Sequence, residues 1–138
     1  MIKGVIFDVD GVLLNSMPVW ENLGELYLRH LGIEAEKDLG TKLYTMSLEQ
    51  SAEYLTETYH LDLAPEQVIA GVNREVKDFY ASRVPLKEGV RQYLNEFHEK
   101  GVPMVIATTG DRQNAQAALK RLNVCLLYTS DAADDLIG

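Results

Sequence analysis

The sequence predicts an α/β fold in which two strands of a parallel sheet are separated by a long helical insertion. The first strand is the apolar run Val5-Ile6-Phe7, which ends abruptly in Asp8-Val9-Asp10-Gly11. A buried parallel strand has this character, because both of its faces are covered. A second apolar strand, 102–107, ends in Thr108-Thr109 about a hundred residues later. Open α/β sheets bind ligands at the carboxyl ends of their strands, so both endings are candidate site segments.

Two carboxylates follow the first strand within a tight turn. Asp8 and Asp10 are separated by one residue, and Gly11 follows at once. Two buried negative charges are costly unless a cation lies between them or one carboxyl is protonated. Asp and Gly are also common turn residues, so an ordinary turn after a strand is the alternative explanation. A motif match needs its structural context, and here the flanking residues favour a functional site.

The segment from Phe7 to Ser16 resembles the first signature of the haloacid dehalogenase-like (HAD) phosphatases. In that family a hydrophobic strand ends in D-x-D-G-x-L, often continued by D-S or D-T, and this chain departs from the pattern at Asn15, where Asp is usual. The resemblance implies that Asp8 attacks the phosphorus atom and becomes a phosphoaspartate. It implies that Asp10 protonates the leaving oxygen and later activates water. It also implies that Mg²⁺ is bound by the Asp8 carboxylate and the Asp10 carbonyl.

The chemistry of phosphoryl transfer agrees with these residue types. A carboxylate attacks a phosphate group only where the charge of that group is screened, so a hard, oxygen-liganded cation is expected beside Asp8. Mg²⁺ suits this position, because it binds a few carboxylates together with substrate phosphate and water. Two neighbouring carboxyl groups can divide the work between an ionised nucleophile, here Asp8, and a protonated acid, here Asp10. Gly11 lets the backbone approach a phosphoryl group closely.

Apolar side chains at helical spacing fill the chain between the two strands. Ser16 is predicted to cap a helix that ends at Gly32, and Ser47-Leu48-Glu49-Gln50 has the pattern of a capping box that opens a second helix. Pro65 suits the first turn of a longer third helix, and a fourth ends at Gly101. The side chains expected to be buried on these four helices are Trp20, Leu23, Tyr27 and Leu31; Ala52, Leu55 and Tyr59; Val68, Val72, Val76 and Phe79; and Val90, Leu94 and Phe97.

The second strand ends in a candidate phosphate cradle. A hydroxyl at a strand tip, followed by backbone N–H groups that lead into a helix, can bind a phosphate group. Asp111 is predicted to cap that helix. Alone, the segment is more typical of an ordinary Thr-rich turn. Beside the first strand it resembles the second HAD signature, which implies that Thr108, or failing that Thr109, hydrogen-bonds a phosphoryl oxygen. The helix face expected to be buried carries Ala115, Ala118, Leu119 and Leu122.

The insertion resembles the small helical cap that follows the first strand in the HAD branch of beta-phosphoglucomutase and related phosphatases. The resemblance implies a three-layer, Rossmann-like parallel sheet core formed by 1–16 and 84–124, incomplete here, with an inserted α-helical cap at 17–83. In that branch the cap closes over the phosphate and sets substrate choice, since closure excludes water and completes the site. Sugar phosphomutases of the branch typically have a histidine where this chain has Trp20 and a cap arginine near Leu48. Both departures favour a phosphatase.

The composition is that of a globular enzyme and argues against several other classes. The chain has 138 residues, 46% of them hydrophobic, and no apolar run approaches the length of a membrane span. A net charge of -8 argues against a nucleic-acid-binding face. One cysteine suits a reducing cytoplasm, and we expect no signal peptide before the first strand. His30, His60 and His98 are scattered, so we expect all three at the surface rather than on a metal. No protein partner is inferred.

The carboxyl-terminal residues do not supply the remaining parts of a HAD site. The family places a lysine and then an acidic pair on later strands, and here no lysine follows Lys120. Asp134-Asp135 lacks the apolar strand that leads into such a pair, so we do not assign it to the metal. Residues 125–135 instead match a one-frame translation of a transposase-type sequencing-library adapter, TGT CTC TTA TAC ACA TCT GAC GCT GCC GAC and then GA with a pyrimidine. We expect 125–138 to be a non-native tail, which the codons after Val124 can test.

The sequence therefore predicts that the parent protein is an Mg²⁺-dependent phosphate-monoester hydrolase that acts on a small phosphorylated metabolite through a phosphoaspartate. A sugar-phosphate phosphomutase shares every core residue and is the first alternative, and a non-catalytic fragment or binding module is the second. We expect residues 1–138 alone to have negligible turnover, because the lysine and the acidic ligands are missing. We also expect them to be poorly soluble or partly unfolded, because half a core leaves an apolar strand edge uncovered.

Overall fold

The chain forms two compact units. The computed structural model describes residues 3–124. The first unit is formed by the residues up to Met17 together with those from Tyr80 onward, and the second unit is Pro18–Phe79. In chain order the helices and strands are β1 (Val5–Phe7), α1 (Met17–Glu21), α2 (Leu23–His30), α3 (Leu39–Tyr44), α4 (Leu48–Thr58), α5 (Pro65–Ser82), α6 (Val90–Glu99), β2 (Met104–Ile106) and α7 (Arg112–Arg121).

Within the described residues the sheet consists of two parallel strands. Parallel neighbours need a crossover of a dozen or more residues, which the chain between β1 and β2 provides. The α/β fold class with an incomplete parallel sheet is therefore confirmed. In register, Val5 lies opposite Met104, Ile6 opposite Val105 and Phe7 opposite Ile106.

Aromatic rings hold α6 against β1. The Phe7 ring contacts the rings of Tyr93 and Phe97 edge to face, with centroids 6.2 Å apart in each pair, and this geometry is favoured by the ring quadrupoles. Leu94 is buried and Phe97 is partly buried, as the sequence predicts. On β1 itself, Ile6 remains 64% exposed.

The predicted start of α7 is confirmed. Asp111 is the N-cap residue, and its side chain accepts a hydrogen bond from the backbone N–H of Asn114 at 2.9 Å. Such a bond satisfies one of the donors that a helix start leaves unpaired. On the predicted inner face Ala115, Ala118 and Leu119 are buried and Leu122 is partly buried.

The helical unit follows the predicted pattern over α4 and α5. The capping box at α4 is present: the Ser47 hydroxyl accepts from the Gln50 N–H at 3.1 Å, and the Gln50 side chain accepts from the Ser47 N–H at 2.9 Å. α5 begins at Pro65, as predicted. Helix α3, between residues 39 and 44, has no counterpart in the prediction. The unit's buried cluster consists of Tyr27, Leu28, Leu39, Ala52, Leu55, Val68 and Val72.

The single helix predicted from Ser16 to Gly32 is wrong. The segment forms α1 and α2, separated at Asn22. The Asn22 side-chain amide donates to the Pro18 carbonyl at 2.8 Å, and local side-chain bonds of this kind compete with a continuous helix. Trp20 and Leu31, predicted to be buried, are 47% and 41% exposed. Helical spacing groups residues on one face only within an unbroken helix, and Leu31 lies beyond the end of α2.

The remaining sequence predictions concern the surface and the tail. His30, His60 and His98 are exposed, as predicted. The adapter-like tail and Asp134-Asp135 lie outside the described residues. In the part of the chain that the structure describes, no helix combines the length and apolar character needed to cross a membrane.

Candidate active site

The two candidate site segments lie side by side at the carboxyl end of the sheet. Phe7 is paired with Ile106, and the Ala107 N–H donates to the Phe7 carbonyl at 2.9 Å. Asp8 follows Phe7 directly, Thr108 lies two residues after Ile106, and neighbouring strands are about 4.8 Å apart. Parallel pairing therefore brings together residues that are far apart in the sequence.

The loop after β1 turns tightly around Gly11. The Val9 carbonyl accepts from the N–H groups of Leu13 and Leu14 at 2.9 and 3.0 Å, and the Gly11 N–H donates to the Leu14 carbonyl at 2.9 Å. Gly11 has a φ of 77°, a conformation that glycine adopts without the steric cost of a side chain. A Cβ at this position would also lie 3.4 Å from the Met17 methyl group.

The same loop is fastened to the segment before α6. The Asn15 N–H donates to the Pro85 carbonyl and the Lys87 N–H donates to the Leu13 carbonyl, both at 2.9 Å. The Lys87 ammonium group donates to the Gly11 carbonyl at 3.1 Å. These bonds hold the backbone that carries both aspartates in one position.

The Asp10 carboxyl group has a different environment on each oxygen. Oδ1 accepts hydrogen bonds from the Ser16 hydroxyl at 2.7 Å and from the Tyr80 hydroxyl. Oδ2 lies 3.2 Å from the point where a Cβ on Gly110 would stand. One oxygen is therefore held inside the protein, and the other faces the loop after β2.

Of the two threonines, Thr108 shares that loop surface with Asp10. Its Oγ1 accepts from the Gly110 N–H at 3.1 Å and lies 3.5 Å from the same Cβ position on Gly110. Thr109 is exposed. Around Gly110 the fold thus gathers a carboxyl oxygen, a hydroxyl and backbone that no side chain covers, which is the surface a phosphoryl group requires.

Asp8 is exposed at the end of β1, and its Oδ1 accepts from the Val9 N–H at 2.7 Å. Oδ1 of Asp10 already accepts from two hydroxyl groups. The ligands that the family resemblance implies, the Asp8 carboxylate and the Asp10 carbonyl, are both oxygen donors. This all-oxygen set fits Mg²⁺, which completes its shell with phosphate and water. Among residues 3–124, no group of three or more His, Cys, Asp or Glu side chains could hold a metal ion.

Sequence reasoning missed three residues of this site. Ser16 was assignable only as a helix cap, because Ser before a helix is a common N-cap. Helical spacing predicts that Phe79 is the buried residue and not its neighbour Tyr80. In the structure Tyr80 is only 3% exposed, and Phe79 is partly buried. Gly110 reads as an ordinary turn glycine until Asp10 is placed beside it. The only early indication was the position of Ser16 inside the first signature.

In the helical unit, the two positions that depart from the mutase pattern line one cavity. Trp20 and Leu48 both border a cavity of about 830 Å³, together with Tyr44 and Met46. Its volume is within the range of small-molecule sites. Tyr44 is 90% exposed.

Comparison with known proteins identifies the family. The family model for haloacid dehalogenase-like hydrolases matches residues 5–130. A curated relative, the phosphorylated carbohydrates phosphatase of Thermotoga maritima, is 24% identical over 123 residues, which cover 89% of this chain and 57% of the relative. The chain thus spans little more than half the length of this relative.

Solved structures share the fold. A Thermotoga maritima protein described as a candidate beta-phosphoglucomutase matches with a TM-score of 0.80 at 22% identity, over 94% of this chain and 60% of that one. A Haemophilus somnus protein described as a phosphoglycolate phosphatase by prediction matches with a TM-score of 0.68 at 14% identity, over 94% of this chain and 61% of that one. A candidate HAD hydrolase from Bacillus subtilis, bound to magnesium, matches with a TM-score of 0.70 at 13% identity, over 94% and 63%.

Proposed function

Because this chain belongs to the haloacid dehalogenase-like hydrolases, we propose that the whole protein hydrolyses phosphate monoesters of small metabolites through an aspartyl phosphate on Asp8. The observation that carries the proposal is the meeting of the two strand ends. Asp8 follows β1 directly, and Oδ2 of Asp10 and Oγ1 of Thr108 lie within 3.5 Å of one point beside Gly110. A nucleophile, an acid and a phosphate-binding hydroxyl are the groups that this reaction needs.

In the first half of the proposed reaction, a carboxylate oxygen of Asp8 attacks the phosphorus atom. The bond between phosphorus and the ester oxygen breaks, and the leaving oxygen takes a proton from Asp10. The Thr108 hydroxyl donates to a phosphoryl oxygen, and the exposed backbone at Gly110 permits close approach. Positioning and charge stabilisation of this kind supply most of the catalysis of phosphoryl transfer.

In the second half, Asp10 removes a proton from water, whose oxygen attacks the same phosphorus atom. The bond between phosphorus and Asp8 breaks, inorganic phosphate leaves, and both carboxyl groups return to their starting protonation. The alcohol and phosphate products together account for the ester and one water. A single residue can serve as acid and then base because its protonation alternates between the two steps.

Mg²⁺ is the proposed cofactor, and when bound it would screen the charge of the phosphate from the attacking carboxylate. The Asp8 carboxylate and the Asp10 carbonyl are the residues that would hold it. Support comes from the oxygen-only donor set and from the magnesium-bound structure with the same fold. Two protein ligands make a weak site. We therefore expect residues 1–138 alone to show negligible turnover; magnesium-dependent phosphate release from an aryl phosphate, abolished by Asp8→Asn, would contradict this.

The unit Pro18–Phe79 is the proposed cap, which would select the substrate. The curated relative acts on phosphorylated carbohydrates by its name, which supports a small phosphorylated metabolite as substrate. Mutases of this branch are expected to carry a histidine at the position of Trp20 and, near Leu48, a cap arginine that binds a second phosphate. A phosphatase is therefore favoured over a sugar-phosphate phosphomutase. Separately, the cytoplasm is the expected location of the protein.

The decisive experiment traps the proposed intermediate in the whole protein. With Mg²⁺ and beryllium fluoride, fluorine NMR is expected to show a bound acyl-phosphate mimic that is absent in Asp8→Asn. Asp111→Asn is the matched control, because Asn caps a helix as well as Asp does and Asp111 lies in the same unit. A bound species that survives Asp8→Asn would contradict the assignment of the nucleophile, and no bound species at all would favour a non-catalytic binding module.

Product analysis separates hydrolase from mutase. With a sugar phosphate as substrate, a phosphatase releases inorganic phosphate in step with substrate loss. A mutase instead conserves total ester phosphate while the sugar phosphate isomerises. The second result would replace phosphatase by phosphomutase and leave the roles of Asp8 and Asp10 unchanged.

A further inference from the structure

We propose that the cavity of the helical unit binds an organic cation, a molecule that carries an ammonium group on an apolar body. The cavity has a volume of about 830 Å³, and every residue that lines it, from Trp20 to Val72, belongs to that unit. Binding of this kind does not depend on the proposed phosphatase reaction. Three features of the lining favour such a ligand: an apolar floor, two exposed aromatic rings, and a rim with more carboxylates than cations.

The floor of the cavity, which is the buried part of its lining, is apolar. It includes Leu39, Leu55, Val68 and Val72, each of which is 7% exposed or less. Small-molecule sites are lined mainly by side chains of this kind, with a few polar groups that fix the orientation of the ligand. Aliphatic side chains offer no hydrogen bonds, so this floor suits the methyl and methylene groups of a ligand.

Two aromatic rings lie on the open part of the lining. Trp20 is 47% exposed and Tyr44 is 90% exposed. Exposed apolar surface beside a cavity is typical of a ligand-binding site. The face of an aromatic ring also attracts a cation, and tryptophan does so most strongly. The two rings therefore suit a ligand that is both apolar and positively charged.

The rim of the cavity carries mainly negative charge. Four acidic residues, Glu21, Glu25, Glu36 and Asp38, line it together with one basic residue, Lys37. A phosphate or carboxylate group on the ligand would meet like charges here, which lowers affinity, whereas an ammonium group would meet opposite charges. The charge of the rim therefore complements a cation.

Two of the four carboxylates are already paired with basic side chains. Arg29 lies 2.9 Å from the carboxylate of Glu25, and Lys42 lies 2.7 Å from that of Glu36. Within residues 3–124 the other two carboxylates of the rim form no ion pair. Those two carboxylates are the ones that can neutralise a bound cation.

The two carboxylates without an ion pair come from backbone segments that touch each other. The carbonyl oxygen of Glu21 lies 2.6 Å from the point where a Cβ on Gly40 would stand, so the end of α1 contacts the first turn of α3. Asp38 is the N-cap residue of α3, but its side chain makes no capping hydrogen bond. The carboxylate of Asp38 is therefore available to a ligand, and its replacement by Asn removes no cap.

The test compares two probes of the same shape that differ in charge. Choline has a quaternary ammonium group where 3,3-dimethylbutan-1-ol has a neutral carbon atom. In isothermal titration calorimetry of the whole protein, choline is expected to bind about tenfold more tightly, because ring faces and free carboxylates attract only the cation. Equal affinities, tighter binding of the neutral alcohol, or no binding of choline would overturn the proposal.

Variants of the lining test whether the cavity holds the cation. Asp38→Asn, Glu21→Gln and Tyr44→Leu are each expected to lower the ratio of choline affinity to neutral-alcohol affinity by about two- to fivefold. The matched control is Glu53→Gln, which removes an exposed carboxylate of the same unit that lies outside the lining. It is expected to leave the ratio unchanged. Equal reductions in Glu53→Gln and Asp38→Asn would show that overall charge sets the affinity, which would overturn the proposal.

Kinetics of the whole protein tell whether the cation is part of the substrate or a separate ligand. If the substrate is an amino alcohol phosphate, kcat/KM for phosphocholine is expected to exceed that for 3,3-dimethylbutyl phosphate by about tenfold, and choline is expected to compete with the ester. Choline that binds without competing identifies a separate amine ligand and overturns the substrate assignment alone. A protein that hydrolyses neither ester but binds choline overturns the proposed function and supports the cation site.

Discussion

Gly110 occupies a place where any side chain would press on the proposed catalytic groups. A Cβ there would lie 3.2 Å from Oδ2 of Asp10 and 3.5 Å from Oγ1 of Thr108. Ordinary contacts between carbon and oxygen begin near 3.4 Å, so Oδ2 has to move by about 0.2 Å. It cannot do so freely, because Ser16 and Tyr80 hold the other carboxyl oxygen. Gly110→Ala is therefore expected to disturb Asp10.

The expected loss of activity is modest and the expected change in stability has the opposite sign. A misplacement of 1 Å can cost about 100-fold in rate, so a shift of about 0.2 Å corresponds to about a threefold lower kcat/KM. Gly110 does not have a positive φ, so alanine restricts the unfolded chain without straining the backbone torsions of the folded one. That effect is worth about 0.4–1 kcal/mol in favour of folding. We expect Gly110→Ala to be less active and no less stable than the parent.

The assay compares steady-state kinetics and urea unfolding of the whole protein. Gly4→Ala is the matched control, since its Cβ would meet only the Pro103 carbonyl at an ordinary 3.6 Å. The control is expected to leave kcat/KM unchanged. Full activity in Gly110→Ala, or an equal loss in Gly4→Ala, would refute the reasoning.

Two further predictions concern the helical unit. Leu55→Ala, at a fully buried position, is expected to lower the free energy of unfolding by about 2–5 kcal/mol. Leu48→Ala, at a position that is 43% exposed, is expected to change it by less than about 0.5 kcal/mol. Urea denaturation measures both changes, and equal losses would contradict the packing. Hydrogen bonds from Lys42 and Tyr54 lower the pKa of Glu36 below its ordinary value of 4.5. The ionised form of Glu36 therefore stabilises the fold above pH 4.5. This stabilisation is lost as the pH falls through the lowered pKa. Melting temperatures followed from pH 6 to pH 3 should decline less steeply in Glu36→Gln, and identical slopes would count against the interaction.

The positions that local chemistry dictates could be predicted from the sequence alone. The strand ending in Asp8, the capping box at Ser47, the start of α5 at Pro65 and the N-cap at Asp111 all depend on residues within a few positions of one another. Hydrophobic period, capping side chains and proline geometry act over that range. The α/β fold class and the family followed from the same short segments.

Other features were decided by the tertiary structure, because they depend on residues far apart in the chain. Ser16 reads as a helix cap, and only the fold turns its hydroxyl to Asp10. Tyr80 lies 70 residues from that carboxylate in sequence. Trp20 is 47% exposed although helical spacing predicts it to be buried, and the helix that the spacing predicts is divided at Asn22. Local pattern could place Asp10 and Thr108 at two strand ends, but parallel pairing of β1 with β2 made them neighbours, since non-local contacts form only when the chain between them has folded back.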